Sequence, residues 1–319
     1  MGSFAGHIDE GLAFIIVAVW WMFNIFRDCI KTESRPGQYE SHLSYPITFR
    51  GRKVPVEIYL KILFPLGGFA AEIIDAKTFV NEDGDFSNLS DLQHTTIYFL
   101  FMLHGISDLL AHYRLPQIKN MTYCTMTLAF FWESQIGVRK LYEGVRKSYV
   151  GERSRMVQHS YFHSEPGMGK PPLENQIHRL PIPLTVFAGI ASIIEMHQRN
   201  AVLPQLLRCY CVLTLGTWFT YTSFVLFLPY PFPGSHHNPA WDQEDERNVH
   251  FIVAAFGIHL IINLMFIMTS YTIMVVYRKL LKKSRDSNDE NSMCKYSMLN
   301  NVDDLEYNAN DFQYKDETV

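Results

Sequence analysis

The sequence predicts an all-α fold, a polytopic membrane protein built as a seven-transmembrane-helix bundle. Three observations predict it. Apolar residues make up 48% of the 319-residue chain and aromatics 14%, yet mean hydropathy is only −0.03, because long apolar runs alternate with strongly polar connectors. The runs are long enough to cross a bilayer, since about 20 mainly apolar residues in a helix span a hydrocarbon core about 30 Å thick. Isolated ionisable side chains stand inside or beside these runs, where lipid makes an unpaired charge costly.

The spans fall at residues 11–26, 56–74, 92–112, 121–138, 181–197, 207–229 and 249–277. The second carries Glu57 and Lys61, which are four apart and so pair on one helical face. Pro65-Leu-Gly-Gly68 in the same span is a candidate break. In the third, His94, Tyr98, Phe101, Gly105, Asp108 and His112 follow steps of three and four and share a face. Gly105 on that face lets a neighbouring helix come close, and His104, four residues before Asp108, offers a local pair instead. Pro181 and Pro183 mark the entry of the short fifth span, and Asn263 lies one turn beyond His259 in the seventh. Residues 1–278 thus read as the transmembrane domain, 139–172 as a polar, glycine-containing connector, and 279–319 as a disordered polar tail.

The net charge of −4 gives no support to a nucleic-acid partner. Five cysteines without a CxxC spacing argue against a disulfide framework and against a thiolate zinc site. The start of the chain lacks the basic region of a cleavable signal peptide. Lys and Arg concentrate in residues 27–53 and 278–285, which places the N-terminus outside or in the lumen and the C-terminus in the cytosol. The basic residues of 139–155 dissent from that orientation. The sequons at Asn88 and Asn120 fall on opposite sides of a seven-span chain, so at most one is glycosylated. In the tail, Tyr296-Ser-Met-Leu299 fits a tyrosine-based sorting motif that would dock an adaptor complex. The terminal Val319 fits, more weakly, the apolar anchor of a PDZ contact.

Alternating span direction orders the polar residues in depth. By that reasoning His7, Glu72, His94, Glu133, His178 and His259 gather in one leaflet, and Asp108 and Glu195 form a second polar layer near the other side. Four imidazoles and two carboxylates are donors that suit a borderline metal such as zinc, which with an open position could activate water. The same groups could relay protons, or serve only as interhelical hydrogen bonds that fix the bundle. Trp241 and Asp242, in the proline-rich connector on the same side, are candidates for a lid over the six; packing or interfacial anchoring is the plainer role for Trp241.

Several motifs carry a resemblance to a known family. Gly216-Thr-Trp-Phe219, Phe224-Val-Leu-Phe227, Trp241-Asp-Gln-Glu-Asp245 and Asn248 resemble the transmembrane protein 45 family, multi-pass membrane proteins with a domain of unknown function. Gly6-His7, Ala71-Glu72, Gln93-His94-Thr95, Asp108, Glu133, Pro171-Pro-Leu173, Ile177-His178, Glu195 and His259 are similar to further family positions. The resemblance covers most of residues 1–278 and implies residence in secretory-pathway (such as Golgi) or endosomal membranes, in keeping with the tyrosine motif, with the plasma membrane as the alternative. The connector 139–170 and the long tail depart from the pattern.

The resemblance implies no activity. The sequence therefore leaves three functional readings: a membrane protein for trafficking or interaction, an intramembrane metal-dependent hydrolase acting on a lipid or small amphiphile, and a proton-coupled carrier.

Overall fold

The computed structural model describes residues 4–33, 38–76, 89–135, 171–227 and 241–313, with side chains followed as far as 285. The helices are α1 (Phe4–Thr32), α2 (Val56–Ala76), α3 (Leu89–His112), α4 (121–135), α5 (Pro172–Arg179), α6 (Ile182–His197), α7 (Val202–Phe227) and α8 (Glu246–Gln313). Residues up to Ile267 form one compact unit; from Met268 onward α8 forms a second.

Among the described residues, four segments are long and apolar enough to cross a membrane: Gly6–Thr32, Pro172–His197, Val202–Phe227 and Glu246–Arg285. The second of these joins α5 to α6 through a turn at Leu180–Pro181. It extends the short fifth run by a helix in the residues between the connector 139–172 and the expected span 181–197. Helices α2 and α3 have 21 and 24 residues, so length does not exclude them. What lowers their apolarity is Glu57, Lys61, His104 and Asp108, all of which are buried or nearly so.

The helices pack antiparallel in sequence order. Between α1 and α7 the meeting points are Phe4 with Phe224, Gly11 with Gly216, and Ala18 with Cys209. A side chain on Gly216 would meet the Ile15 backbone nitrogen at 2.7 Å and the Gly11 carbonyl at 2.8 Å. The two backbones touch, as small residues permit where helices associate in lipid.

Between α2 and α3, a methyl group on Gly105 would lie 2.8 Å from the Lys61 carbonyl oxygen. That carbonyl is the one that Pro65 leaves without its helical N–H partner. Pro65 does not break α2; the helix runs through it, and the close approach of Gly105 covers the freed carbonyl. Further along, His104 meets Thr125 and Phe101 meets Phe130 between α3 and α4. Tyr123 meets Glu195 between α4 and α6, and Thr217 meets His259 between α7 and α8.

Two features differ from the sequence reading. Residues 47–49 and 52–54 form a small antiparallel hairpin, closed by Arg50 and Gly51 at φ of 48° and 78°, the signs a two-residue primed turn requires. The backbone of α8 stays helical to Gln313, through a tail whose composition predicts no structure.

Candidate functional site: two buried ion clusters beside an apolar cavity

Lys61 is the centre of the first cluster. Its ammonium lies 2.9 Å from Glu57, 2.9 Å from Asp108, 2.7 Å from the Ser44 hydroxyl and 2.8 Å from the Leu43 carbonyl. Glu57 in turn accepts hydrogen bonds from Trp20 Nε1 (2.9 Å), Trp21 Nε1 (2.7 Å) and the Tyr45 amide (2.7 Å). The pairing of Glu57 with Lys61 is the one their spacing predicts. Its extension to Asp108 on another helix, and to the segment 38–46, is tertiary.

The second cluster lies beside it. Arg208 donates from Nε to Glu195 at 2.8 Å and from Nη2 at 3.2 Å, with both side chains fully buried. Tyr123 donates to the same carboxylate at 3.3 Å. The indole of Trp21 joins the clusters, with Lys61 Nζ 5.2 Å and the Arg208 guanidinium carbon 4.3 Å from its ring centre. Cations over an indole face gain most where water is excluded.

Gln205 completes the joint. Its amide nitrogen donates to the His42 carbonyl (2.6 Å) and to Tyr45 Oη (2.8 Å), and its oxygen accepts from Tyr39. Burial pushes the Tyr39 and Tyr45 phenols upward from their usual value, so both stay neutral, Tyr39 donating to Gln205 and Tyr45 accepting from it.

The six residues read as one leaflet's cluster are distributed as follows. His7 and His178 face each other edge to face with ring centres 6.1 Å apart, and His7 also lies 5.2 Å from Phe227. His178 Nδ1 donates to the Glu174 carbonyl of its own helix (2.7 Å). Glu133 is half-buried in α4, and its Oε2 has no hydrogen-bond partner among the described residues. His259 packs against Trp218 and Tyr221 with ring centres 5.6 and 5.0 Å away, and its Nδ1 is 3.4 Å from Thr217 Oγ1. Asn263, one turn on, donates to the same Thr217 at 2.8 Å. His94 lies in the first turns of α3, half-buried. The side chain of Glu72 lies outside the described residues.

Among the described residues no three His, Cys, Asp or Glu side chains stand close enough together to hold a metal ion. His178 and His259 instead make local contacts, one with a carbonyl and one with aromatic rings.

Asp108 and Glu195 both meet the Trp21 region, at the opposite end of α1 from His7. Fourteen residues of helix separate His7 from Trp21, or about 21 Å at 1.5 Å per residue. Trp241 packs on Phe251 at 5.4 Å between ring centres. Asp242 accepts from the Glu244 amide (3.0 Å), and its carbonyl accepts from Asn248 (2.9 Å), so both residues shape the start of α8. Next to them the Arg247 guanidinium hydrogen-bonds Asp245 and holds its carboxyl below the usual range. Of the sequons, Asn120 sits at φ 63° before α4 and accepts from Arg199 (2.8 Å), while Asn88 lies outside the described residues.

Arg208 and Gln205 were missed. An arginine inside the apolar run of α7, facing a glutamate thirteen residues earlier across one helix turnaround, was the available signal.

Above the ion clusters lies a cavity of about 350 Å³. Phe14, Phe64, Tyr98, Phe101, Met126 and Phe130 line it, from α1, α2, α3 and α4. Lys61 and His104 lie at its lower end, and Asp9 and Glu10 at its upper end near the start of α1. His104 Nε2 is buried there with no hydrogen-bond partner among the described residues, 3.5 Å from Asp108. The lining residues Leu12 and Ile16 on α1 and Leu60 and Phe64 on α2 are also exposed on the outer face (45%, 63%, 52% and 42%). The cavity therefore opens sideways between α1 and α2. Its size and mostly apolar walls match those of small-molecule sites.

Four candidate spans, apolar outer faces and inward-paired ions are consistent with an integral membrane protein. Residues 155–272 match a family of unknown function (DUF716). That stretch holds Glu195, Arg208, Trp218 and His259. It stops short of Lys61, Asp108 and the cavity walls contributed by α1 to α4.

Proposed function

We propose that this chain is a seven-span membrane protein of the transmembrane protein 45 type that binds a lipid-derived amphiphile. The observation that carries the reading is the apolar cavity opening sideways between α1 and α2, where a bilayer molecule can enter without passing through water. The seven-span count is supported by the antiparallel order of the helix contacts. The paired ions of α2 and α3 support it further, because pairing removes most of the cost of taking those helices into lipid. The lumenal or extracellular N-terminus follows from the basic residues near the lower end.

A test is photolabelling of the purified full-length protein with a diazirine-bearing alkyl chain in nanodiscs. Labels are expected on α1 and α2 near Leu12, Ile16 and Phe64. Filling the cavity with Ala13→Trp should cut labelling about tenfold, the effect of overpacking that costs about 1.4 kcal/mol. Equal labelling of wild type and variant would sink the proposal. Stoichiometric zinc that is lost in His94→Ala and His178→Ala would favour the metal-dependent hydrolase instead.

The tyrosine motif supports residence in Golgi or endosomal membranes. Tyr296→Ala should move a tagged full-length chain toward the cell surface in imaging, and an unchanged distribution would remove the adaptor contact at Tyr296 and Leu299.

A further inference from the structure

We infer that the cleft between the α3–α4 connection and the α6–α7 turn binds the phosphate monoester head of a membrane lipid, with Arg199 and Lys119 as its cationic ligands. This is a second site, and it stands independently of the amphiphile reading above. The cleft has a volume of about 760 Å³ and lies where α3 hands over to α4 and α6 to α7. Its lining carries Lys119, Asn120, His197, Gln198, Arg199 and Asn200, and among the described residues no carboxylate.

Arg199 is held in place from three sides. Its carbonyl accepts from the Ser41 amide (2.7 Å), its Nη2 donates to Asn120 Oδ1 (2.8 Å), and its guanidinium carbon lies 5.2 Å from the Tyr123 ring centre. Among the described residues, Asn120 is the one hydrogen-bond partner of that guanidinium. The exposed Glu40 carboxylate stands 4.0 Å from Nη1, beyond hydrogen-bond reach. A guanidinium carries five N–H donors in a fixed fork, the geometry that takes two oxygens of a phosphate at once. Lys119, exposed beside Asn120, adds a second positive charge. Two cations match the roughly −2 charge of a phosphate monoester at neutral pH better than the single charge of a diester.

The rims of the cleft argue for a lipid as the source of that phosphate. Ile118, next to Lys119, is 71% exposed, and Leu203, two residues after Ala201, is 74% exposed. The turn 198–201 also joins two candidate spans, Pro172–His197 and Val202–Phe227, which puts the cleft at the level of a membrane surface. Apolar side chains there sink into the boundary between headgroups and acyl chains, while neighbouring cations meet the lipid phosphates. A soluble phosphate would use the cations but gain nothing from Ile118 and Leu203.

The test uses labelled full-length protein in dodecyl maltoside, in about 0.15 M salt so that diffuse attraction is screened. It is titrated with dioctanoyl phosphatidate, phosphatidylglycerol or phosphatidylcholine, and binding is read by thermophoresis. Phosphatidate is expected to bind about tenfold more tightly than phosphatidylglycerol, with phosphatidylcholine weakest. Arg199→Gln and Lys119→Gln, each tested alone, should weaken phosphatidate about tenfold and leave phosphatidylcholine unchanged. Glu40→Gln should tighten it about twofold, by removing a partly screened negative charge. Lys119 is exposed, so Lys119→Gln serves where Arg199→Gln does not fold. Lys53→Gln, on the exposed hairpin before α2, is the control and should change nothing. Equal losses in Lys53→Gln and Lys119→Gln overturn the site in favour of diffuse surface attraction. Phosphatidate binding that is unchanged in both Lys119→Gln and Arg199→Gln overturns it as well. Displacement of phosphatidate by inorganic phosphate at the same concentration overturns the lipid assignment and makes the ligand a soluble phosphate.

Discussion

Lys61→Met is expected to lower the stability of the purified protein by about 3–5 kcal/mol, the cost of breaking a buried ion pair from one side. Lysine here neutralises two carboxylates at once, Glu57 and Asp108, each 2.9 Å away. Methionine fills nearly the same volume, so cavity formation contributes little and the loss reports the uncompensated charges. Glu57 retains Trp20, Trp21 and the Tyr45 amide as donors. Asp108 retains, among the described residues, Ser44 and the His104 ring at 3.5 Å, so it suffers more. Adding Asp108→Asn to Lys61→Met should therefore recover part of the loss, which a double-mutant cycle measures directly. Thermal unfolding in detergent is the readout. An unchanged midpoint in the single variant would show that the ammonium does not hold α2 to α3.

Arg208→Leu is expected to be comparably severe, because it strands the fully buried Glu195. Tyr123 is then the remaining donor to that carboxylate, at 3.3 Å. The variant also removes the cation from the face of Trp21. The double variant Arg208→Leu with Glu195→Leu should be closer to wild type than either single change, since a buried ion pair replaced by apolar residues is often neutral or stabilising. Strict additivity of the two losses would mean that the pair does not interact across α6 and α7. The same unfolding measurement decides it.

These two variants probe what a reading of single helices could not assemble. Spacing within α2 was enough to pair Glu57 with Lys61, and periodicity within α3 was enough to place Gly105 and Asp108 on one face. Chain direction gave an expected depth for Asp108 and Glu195, at the opposite end from His7 and His178. Each of those inferences uses only neighbours along one helix or the order of helices. Finding Arg208 needed the register between α6 and α7, and finding the hairpin at 47–54 needed the turn geometry of Arg50 and Gly51 inside a segment read as a basic connector.

The His and Glu residues show the limit differently. Chain direction gives an expected depth along the bundle axis, but it does not give the rotation of each helix about its own axis. His7 and His178 face each other. His259 turns onto Trp218 instead. A metal site demands donors within a few ångströms, and rotation of that precision depends on packing.

By itself, the sequence determined the helical class, the apolar runs, the cost of the ions within them and therefore their need for partners. Those properties follow from composition and period, which are local. Only the tertiary structure decided which partners meet, that Lys61 and Arg208 flank Trp21, and that a cavity remains between α1, α2, α3 and α4. A cavity is the space left by side chains from helices far apart in the chain, and no local pattern encodes it.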